Sequence, residues 1–360
     1  MMGEQKEMKG RNQTRTVKLG RLTIGGGAPV AVQTMTNTPT ADVSATLAQI
    51  ERSAERGAEI VRLAVPDQEA ARTIKEIVSR SPVPLVADIH FDYRLALAAL
   101  AGGVAGLRLN PGNIRDPEKI RKVAEAAGLA GAALRVGVNS GSLDPAMVER
   151  YGHGPEAMVG SALREIALVE ETGFANVKVS LKASSVEETL QAVRLFAQES
   201  DVPQHLGITE AGDVKSGAVR SAVGLGILLH EGYGDTIRVS LTGPPEEEVD
   251  CAWEILRSLD LRRRGPNFIS CPMCGRCRID LPKLLRDVKE RLKDLKTPLT
   301  IAVMGCVVNG PGEARKADLG IAGGKGKGRL FVKGRPVGSY PFEGLVQALE
   351  ERAKAWEEES

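Results

Sequence analysis

The feature that most limits how this chain can fold is a repeat. Short runs rich in Val, Ile and Leu alternate with amphipathic stretches of helical length from residue 28 to about residue 260. The runs are APVAVQTM (28–35), EIVRLAVP (59–66), PLVADIHF (84–91), AGLRLNPG (105–112), ALRVGVNSG (133–141), NVKVSLKAS (176–184), QHLGITEAG (204–212) and DTIRVSLTG (235–243). Helical periodicity marks stretches between them, among them 42–57, 117–128, 161–173, 185–200, 215–232 and 245–259. Eight strand–helix units fit a (β/α)8 framework, the TIM barrel, which usually takes roughly 250 residues. An open doubly wound sheet is the competitor, but no strand of edge-like polarity interrupts the repeat. Aromatic residues make up only 3% of the chain against 40 glycines, which suits an α/β core of small and branched side chains over an aromatic-filled sandwich.

The ends of the apolar runs carry polar residues two apart, and side chains two apart on a strand point the same way. Asp88 and His90, Arg108 and Asn110, Ser180 and Lys182, and Arg238 and Ser240 follow this spacing, while Arg135 and Asn139 sit four apart. Arg62 comes from the second run and Glu210 from the seventh. In a barrel these residues converge at the carboxyl ends of the strands, where active sites of this fold lie. Any single polar strand end is ordinary. Arg62, Arg108, Arg135, Lys182 and Arg238 at matching positions of five runs instead predict a site for a polyanion such as a diphosphate, since Arg grips phosphate in two-pronged fashion.

Past residue 260 the composition changes. RRRGPN reads as a linker, dividing a barrel domain (1–260) from a smaller α+β domain (261–360). The second domain has a helix candidate at 280–295, strand candidates at 299–305, 317–323 and 329–334, and a closing helix at 342–359. Four of the five cysteines fall in it: Cys271, Cys274, Cys277 and Cys306. Cysteines two residues apart in a Pro/Gly turn, completed by a thiol about 30 residues on, suit zinc or an iron–sulfur cluster. Spacing alone leaves those two open. The fifth, Cys251, reads as a small buried apolar residue. The glycine-rich GGKGKG run lacks the strand–loop–helix order of a phosphate loop and reads as a turn.

The formal charge of +2 is too small to predict general nucleic-acid affinity, and the basic runs lack interleaved aromatics. No stretch approaches the roughly 20 apolar residues that span a bilayer. A cytoplasmic setting is therefore expected, where clustered cysteines bind metal more often than they form disulfides.

The pairing of SCPMCGR with MGCVVNGPGE, after the strand-end series ADIHF, RLNPGNI, TEAG and GDTIRVSLT, resembles the bacterial 4-hydroxy-3-methylbut-2-enyl diphosphate synthases. The resemblance covers essentially the whole chain past its N-terminal tail. It implies a TIM barrel joined to a small domain holding a [4Fe–4S] cluster, with Cys271, Cys274, Cys306 and Glu313 as ligands. It further implies 2-C-methyl-D-erythritol 2,4-cyclodiphosphate as substrate, flavodoxin or ferredoxin as electron donor, and a head-to-tail homodimer. A carboxylate is a weaker partner for iron than a thiolate, so Glu313 would leave one iron open to exchange. Within that reading Glu210 is expected to donate the proton lost with water, and Asp88 and His90 to position substrate hydroxyls. Asn139 and Ser240 are expected to help hold the phosphoryl groups. Cys277 departs from the motif and is expected to be a bystander thiol. The alternative is a non-redox barrel transferase of the pterin-binding type with a zinc-stapled tail.

Overall fold

The computed structural model describes residues 11–110, 114, 116–277, 279–306, 312, 315, 317–324 and 326–359. The chain divides into two compact units, Met1–Arg262 and Arg263–Ser360, two residues beyond the expected boundary.

In the first unit a hairpin, β1 (Val17–Leu19) and β2 (Leu22–Ile24), precedes the repeat. Eight parallel strands follow: β3 (Ala31–Met35), β4 (Ile60–Ala64), β5 (Leu85–Asp88), β6 (Gly106–Leu109), β7 (Ala133–Asn139), β8 (Val177–Lys182), β9 (His205–Leu206) and β10 (Thr236–Ile237). Their order is β8-β7-β6-β5-β4-β3-β10-β9. A parallel bridge between Val179 and Gln204 joins the two ends of that order, so the sheet closes as a TIM barrel.

The helices are α1 (Val43–Arg56), α2 (Gln68–Arg80), α3 (Tyr93–Ala101), α4 (Pro117–Ala130), α5 (Pro145–Tyr151), α6 (Pro155–Glu170), α7 (Val186–Glu199), α8 (Val214–His230) and α9 (Pro245–Ser258). Most begin where a short polar side chain accepts a hydrogen bond from an otherwise unpaired first-turn N–H. Asp42, Asp67, Asp92, Asp116, Asp144, Ser185 and Asp213 do this for α1, α2, α3, α4, α5, α7 and α8. The main core lies between strands and helices, built from outward-facing residues such as Val61, Leu63, Leu107, Val136 and Val179 against Ile50, Ile74, Val123 and Phe196. A separate cluster plugs the amino-terminal end of the barrel: Val17, Leu19 and Ile24 of the hairpin pack on Ala31, Ile60, Val86 and Ala133, the first inward-facing residues of their strands.

The seventh and eighth strands are much shorter than their apolar runs predict, two residues each. Beyond Leu206 the chain leaves the ladder at Gly207 and turns at Thr209–Glu210, where Glu210 adopts a left-handed φ of 52°.

The second unit is a five-stranded sheet, β11 (Asn267–Ser270), β12 (Thr300–Met304), β13 (Leu319–Gly323), β14 (Lys327–Val332) and β15 (Arg335–Pro341), paired in that order. The first three run parallel and the last two antiparallel. Helices α10 (Leu281–Arg291) and α11 (Phe342–Glu359) supply Leu284, Val288, Leu345 and Leu349 to a core against Ile301, Val303, Leu319 and Ile321. Sequence patterning did not predict β11 or β15; β15 is an exposed edge strand and so lacks the clean alternation that marks a half-buried one. Among the described residues no helix is long and apolar enough to cross a membrane.

Candidate active site

Strand parity sends a stack of basic side chains into the barrel. Register pairs Asp88 with Arg108, Arg108 with Arg135, Arg135 with Lys178, and Asn139 with Lys182 on successive strands β5 to β8. Arg108, Arg135 and Lys182, three of the cations predicted for the mouth, are buried inside the lumen, and so is Lys178. The hairpin fills the amino-terminal end of the barrel, which leaves the carboxyl ends of the strands as the side for ligand entry.

Asp88 is the hub. Arg108 Nη1 lies 3.2 Å from its Oδ1, Arg62 Nε 3.6 Å from its Oδ2, and His90 Nε2 3.7 Å from its Oδ2. Burial alone would push the Asp88 carboxyl up, but Arg62, the hydrogen bond from His90 and Arg108 together hold it well below the usual carboxylate range. Burial lowers Arg62 to about 10, with Asp88 opposing and Arg238 and Arg108 adding to the effect. Arg135 is pushed well down by burial and then by Arg62 and Arg108, and its Nε and Nη1 have no hydrogen-bond partner among the described residues. Gly137 is what lets Arg108 cross the lumen: a Cβ there would sit 2.6 Å from Arg108 Nε, and Arg108 Nη2 instead donates to the Gly137 carbonyl at 3.2 Å.

On the far wall, Arg238 makes a two-pronged pair with Glu248 at 3.1 and 2.9 Å. Glu248 lies in the first turn of α9 and also accepts from Thr34 Oγ1 at 2.8 Å and from the Leu241 backbone N–H at 3.1 Å. Met35 Sδ sits between two guanidinium groups, accepting from Arg62 at 3.1 and 2.9 Å and from Arg238 at 3.7 Å. Lys182 Nζ is 3.2 Å from His205 Nε2, and His205 Nδ1 is 2.8 Å from Thr236 Oγ1. Burial, then the neighbouring cations, pushes Lys182 and His205 well down and Lys178 to about 7.

The lumen thus brings together Arg62, Asp88, Arg108, Arg135, Lys182 and Arg238, with His90 half-exposed at its rim. Asn110 donates to Ser142 Oγ at 2.9 Å, while Asn139 and Ser240 are half-buried near the strand ends. Glu210 stands apart: it is exposed and forms no ion pair among the described residues, so it orients none of the arginines. Sequence reasoning missed Lys178, His205, Met35 and Glu248. Lys178 was reachable, since it continues the two-residue spacing of Ser180 and Lys182 one step deeper.

In the second unit, Cys271 directly follows β11 and Cys306 lies two residues past β12, its parallel neighbour, with Ser270 paired to Val303. Gly305 N donates to Cys271 Sγ at 3.4 Å. A backbone hydrogen bond from Arg276 holds the exposed Cys274 thiol below its ordinary value. Cys277 points inward, donating to the Ile279 carbonyl at 3.3 Å, and a Cβ at Gly305 would sit 2.6 Å from its sulfur. Glu313 lies outside the described residues. Among the described residues no three Cys, His, Asp or Glu side chains form a single-ion site.

Comparison with known proteins agrees with both units. A family model described as the GcpE TIM-barrel domain matches residues 14–253, and one described as the GcpE protein C-terminal domain matches 267–355. A relative from Lawsonia intracellularis, named 4-hydroxy-3-methylbut-2-en-1-yl diphosphate synthase (flavodoxin), is 56% identical over 91% of this chain and 92% of its own. One of the same name from Geobacter sulfurreducens is 53% identical over 94% and 96%. Among solved structures, a spore coat polysaccharide biosynthesis protein from Bacillus subtilis shares the fold, with a TM-score of 0.51 at 11% identity over 68% of this chain and 72% of that one. The relatives span the cysteine-bearing unit as well as the barrel, which disfavours the pterin-type transferase. With one family matching on both sides of the linker, the chain belongs to the GcpE family.

Proposed function

We propose that the chain opens the ring of 2-C-methyl-D-erythritol 2,4-cyclodiphosphate and removes a hydroxyl, giving (E)-4-hydroxy-3-methylbut-2-enyl diphosphate, in the cytoplasm as a step of isoprenoid synthesis. The observation that carries this reading is the lumen itself: Arg62, Arg108, Arg135, Lys182 and Arg238 face one water-poor space with Asp88 as the carboxylate at its centre. These five cations meet two carboxylates among the described residues, Asp88 and Glu248, and a diphosphate would offset the remaining positive charge.

The reaction breaks a ring C–O bond, frees the diphosphate, and expels one oxygen as water; two electrons and one proton balance it. A [4Fe–4S] cluster held by Cys271, Cys274, Cys306 and Glu313 would supply the electrons one at a time. The arginines and Lys182 hold the phosphoryl oxygens, helped by Asn139 and Ser240, and so neutralise the leaving diphosphate as its charge grows. Asp88, clamped by two arginines, stays ionised and acts with His90 and Asn110 on substrate hydroxyls. Glu210 delivers the proton to the departing oxygen.

Flavodoxin is the donor that the relatives' names support; ferredoxin would serve the same chemistry. A head-to-tail homodimer would let one chain's cysteine unit serve the other's barrel. The test is an anaerobic absorption and electron-resonance spectrum, with and without the cyclodiphosphate. About four iron per chain and a spectrum perturbed by the compound are expected. Stoichiometric zinc with no response would overturn the reading.

A further inference from the structure

The lumen contains a side chain to which the chemistry above gives no role. His205 is fully buried on β9, in register with Thr236 of β10, and its two ring nitrogens are both engaged. Nε2 faces Lys182 Nζ at 3.2 Å and Nδ1 faces Thr236 Oγ1 at 2.8 Å. With Lys182 charged, its ammonium can only donate, so Nε2 accepts and the ring proton sits on Nδ1, facing the Thr236 hydroxyl oxygen as acceptor. Lys182 sets this tautomer, and the Thr236 hydroxyl, which can donate or accept, accommodates it. Two residues on and facing the same way, Gly207 leaves the passage through which Lys182 reaches the mouth; a Cβ there would fall 2.7 Å from the Arg238 carbonyl and 3.0 Å from Lys182 Cε.

We propose that His205 is the positioning residue of Lys182: a neutral imidazole, anchored by Thr236, that holds the ammonium toward the incoming phosphoryl group while Gly207 clears its path. This rests on the reading that the mouth takes the cyclodiphosphate. Among the described residues Lys182 has no carboxylate partner; the charged groups that act most on the pair are the cations Arg62, Arg108, Arg135, Arg238 and Lys178, while Asp88 is taken up by Arg62 and Arg108 and Asp235 lies beside Lys178. A lysine so surrounded sheds its proton readily, and an imidazole that accepts its N–H is the feature opposing that loss. His205 is itself kept neutral, first by burial and then by Lys182, so it does not compete for the proton. Its role is to keep Lys182 charged and aimed before any ligand arrives.

The experiment is calorimetric titration of the anaerobic holoenzyme with the cyclodiphosphate from pH 6 to 9, for the wild type and three variants. His205→Phe keeps the ring volume but removes the acceptor. Affinity is expected to fall about tenfold at neutral pH, and the pH at which binding weakens is expected to move down, since the ammonium loses its support. His205→Gln restores an acceptor near Nε2 and is expected to recover most of both changes. Thr236→Val frees the ring without removing it, giving a smaller loss in the same direction. An unchanged affinity and pH midpoint in His205→Phe overturns the inference, as does an equal loss in the Phe and Gln variants, which would mark a packing role. Failure of the wild type to bind at all would instead refute the reading of the mouth, and the inference with it.

Discussion

Lys178 is buried with no hydrogen-bond partner on Nζ among the described residues, and it lies opposite Arg135. Burial, reinforced by Arg135, lowers it from 10.5 to about 7. Below pH 7 the folded chain must carry this charge against its preference; between about 7 and 10.5 the unfolded state binds the extra proton, so stability rises with pH across that window. Lys178→Met is therefore expected to stabilise the chain most at pH 6, by at most a few kcal/mol, since each tenfold loss of proton affinity on folding costs roughly 1.4 kcal/mol. The gain should shrink steadily above pH 7, as urea unfolding at several pH values would show. Glu210 offers a contrast, since it is exposed, without an ion pair among the described residues, and held in a left-handed turn. Glu210→Gln should keep the iron content and the affinity for the cyclodiphosphate yet lower turnover by about two orders of magnitude or more; normal turnover would remove it from the chemistry. At this scale the sequence revealed the cations at the strand ends but not how deep they run. Spacing of two marks a face, and only closure of the barrel turns that face into an interior, which is why Lys178 and His205 escaped notice.

Strands β3 to β8 were legible because each is apolar on its outward face and most lead into an aspartate- or serine-capped helix. β9 and β10 were overextended for a definite reason: past Leu206 and Ile237 the regular ladder gives way to scattered single hydrogen bonds and the chain bends to present Glu210, Arg238 and Ser240, while its composition stays strand-like. Helix α9 carries more than packing. Its first-turn Glu248 fixes Arg238 with two hydrogen bonds and ties it to Thr34 and Leu241. Glu248→Gln keeps the shape but removes the charge, and should weaken cyclodiphosphate binding roughly three- to tenfold with little change in melting temperature, a loss of about 1 kcal/mol for a charge-assisted pair. Nothing in the periodicity of 245–259 separates this glutamate from the two before it; its partner becomes visible only in the fold.

For the whole molecule, the two-part organisation was readable from the change of composition near residue 260, whereas Glu313, the proposed fourth ligand, lies outside the described residues. Cys277 is turned into the second unit's own packing against Gly305 and the Ile279 carbonyl. Cys277→Ser should accordingly leave iron content at the wild-type level, while Cys306→Ser should lose the cluster, both checked by metal analysis of anaerobic protein. If barrel and cysteine unit act across a head-to-tail dimer, equal amounts of an Arg135→Met chain and a Cys306→Ser chain, each inactive alone, should recover about a quarter of wild-type activity on subunit exchange, because half the dimers are mixed and each holds one intact pair. The hairpin of Val17, Leu19 and Ile24 has its own consequence for turnover. It makes the barrel a blind well, so whatever enters must leave by the same opening. Product diphosphate therefore occupies the route by which fresh substrate arrives, and its inhibition should be purely competitive, raising the apparent KM while leaving the limiting rate untouched.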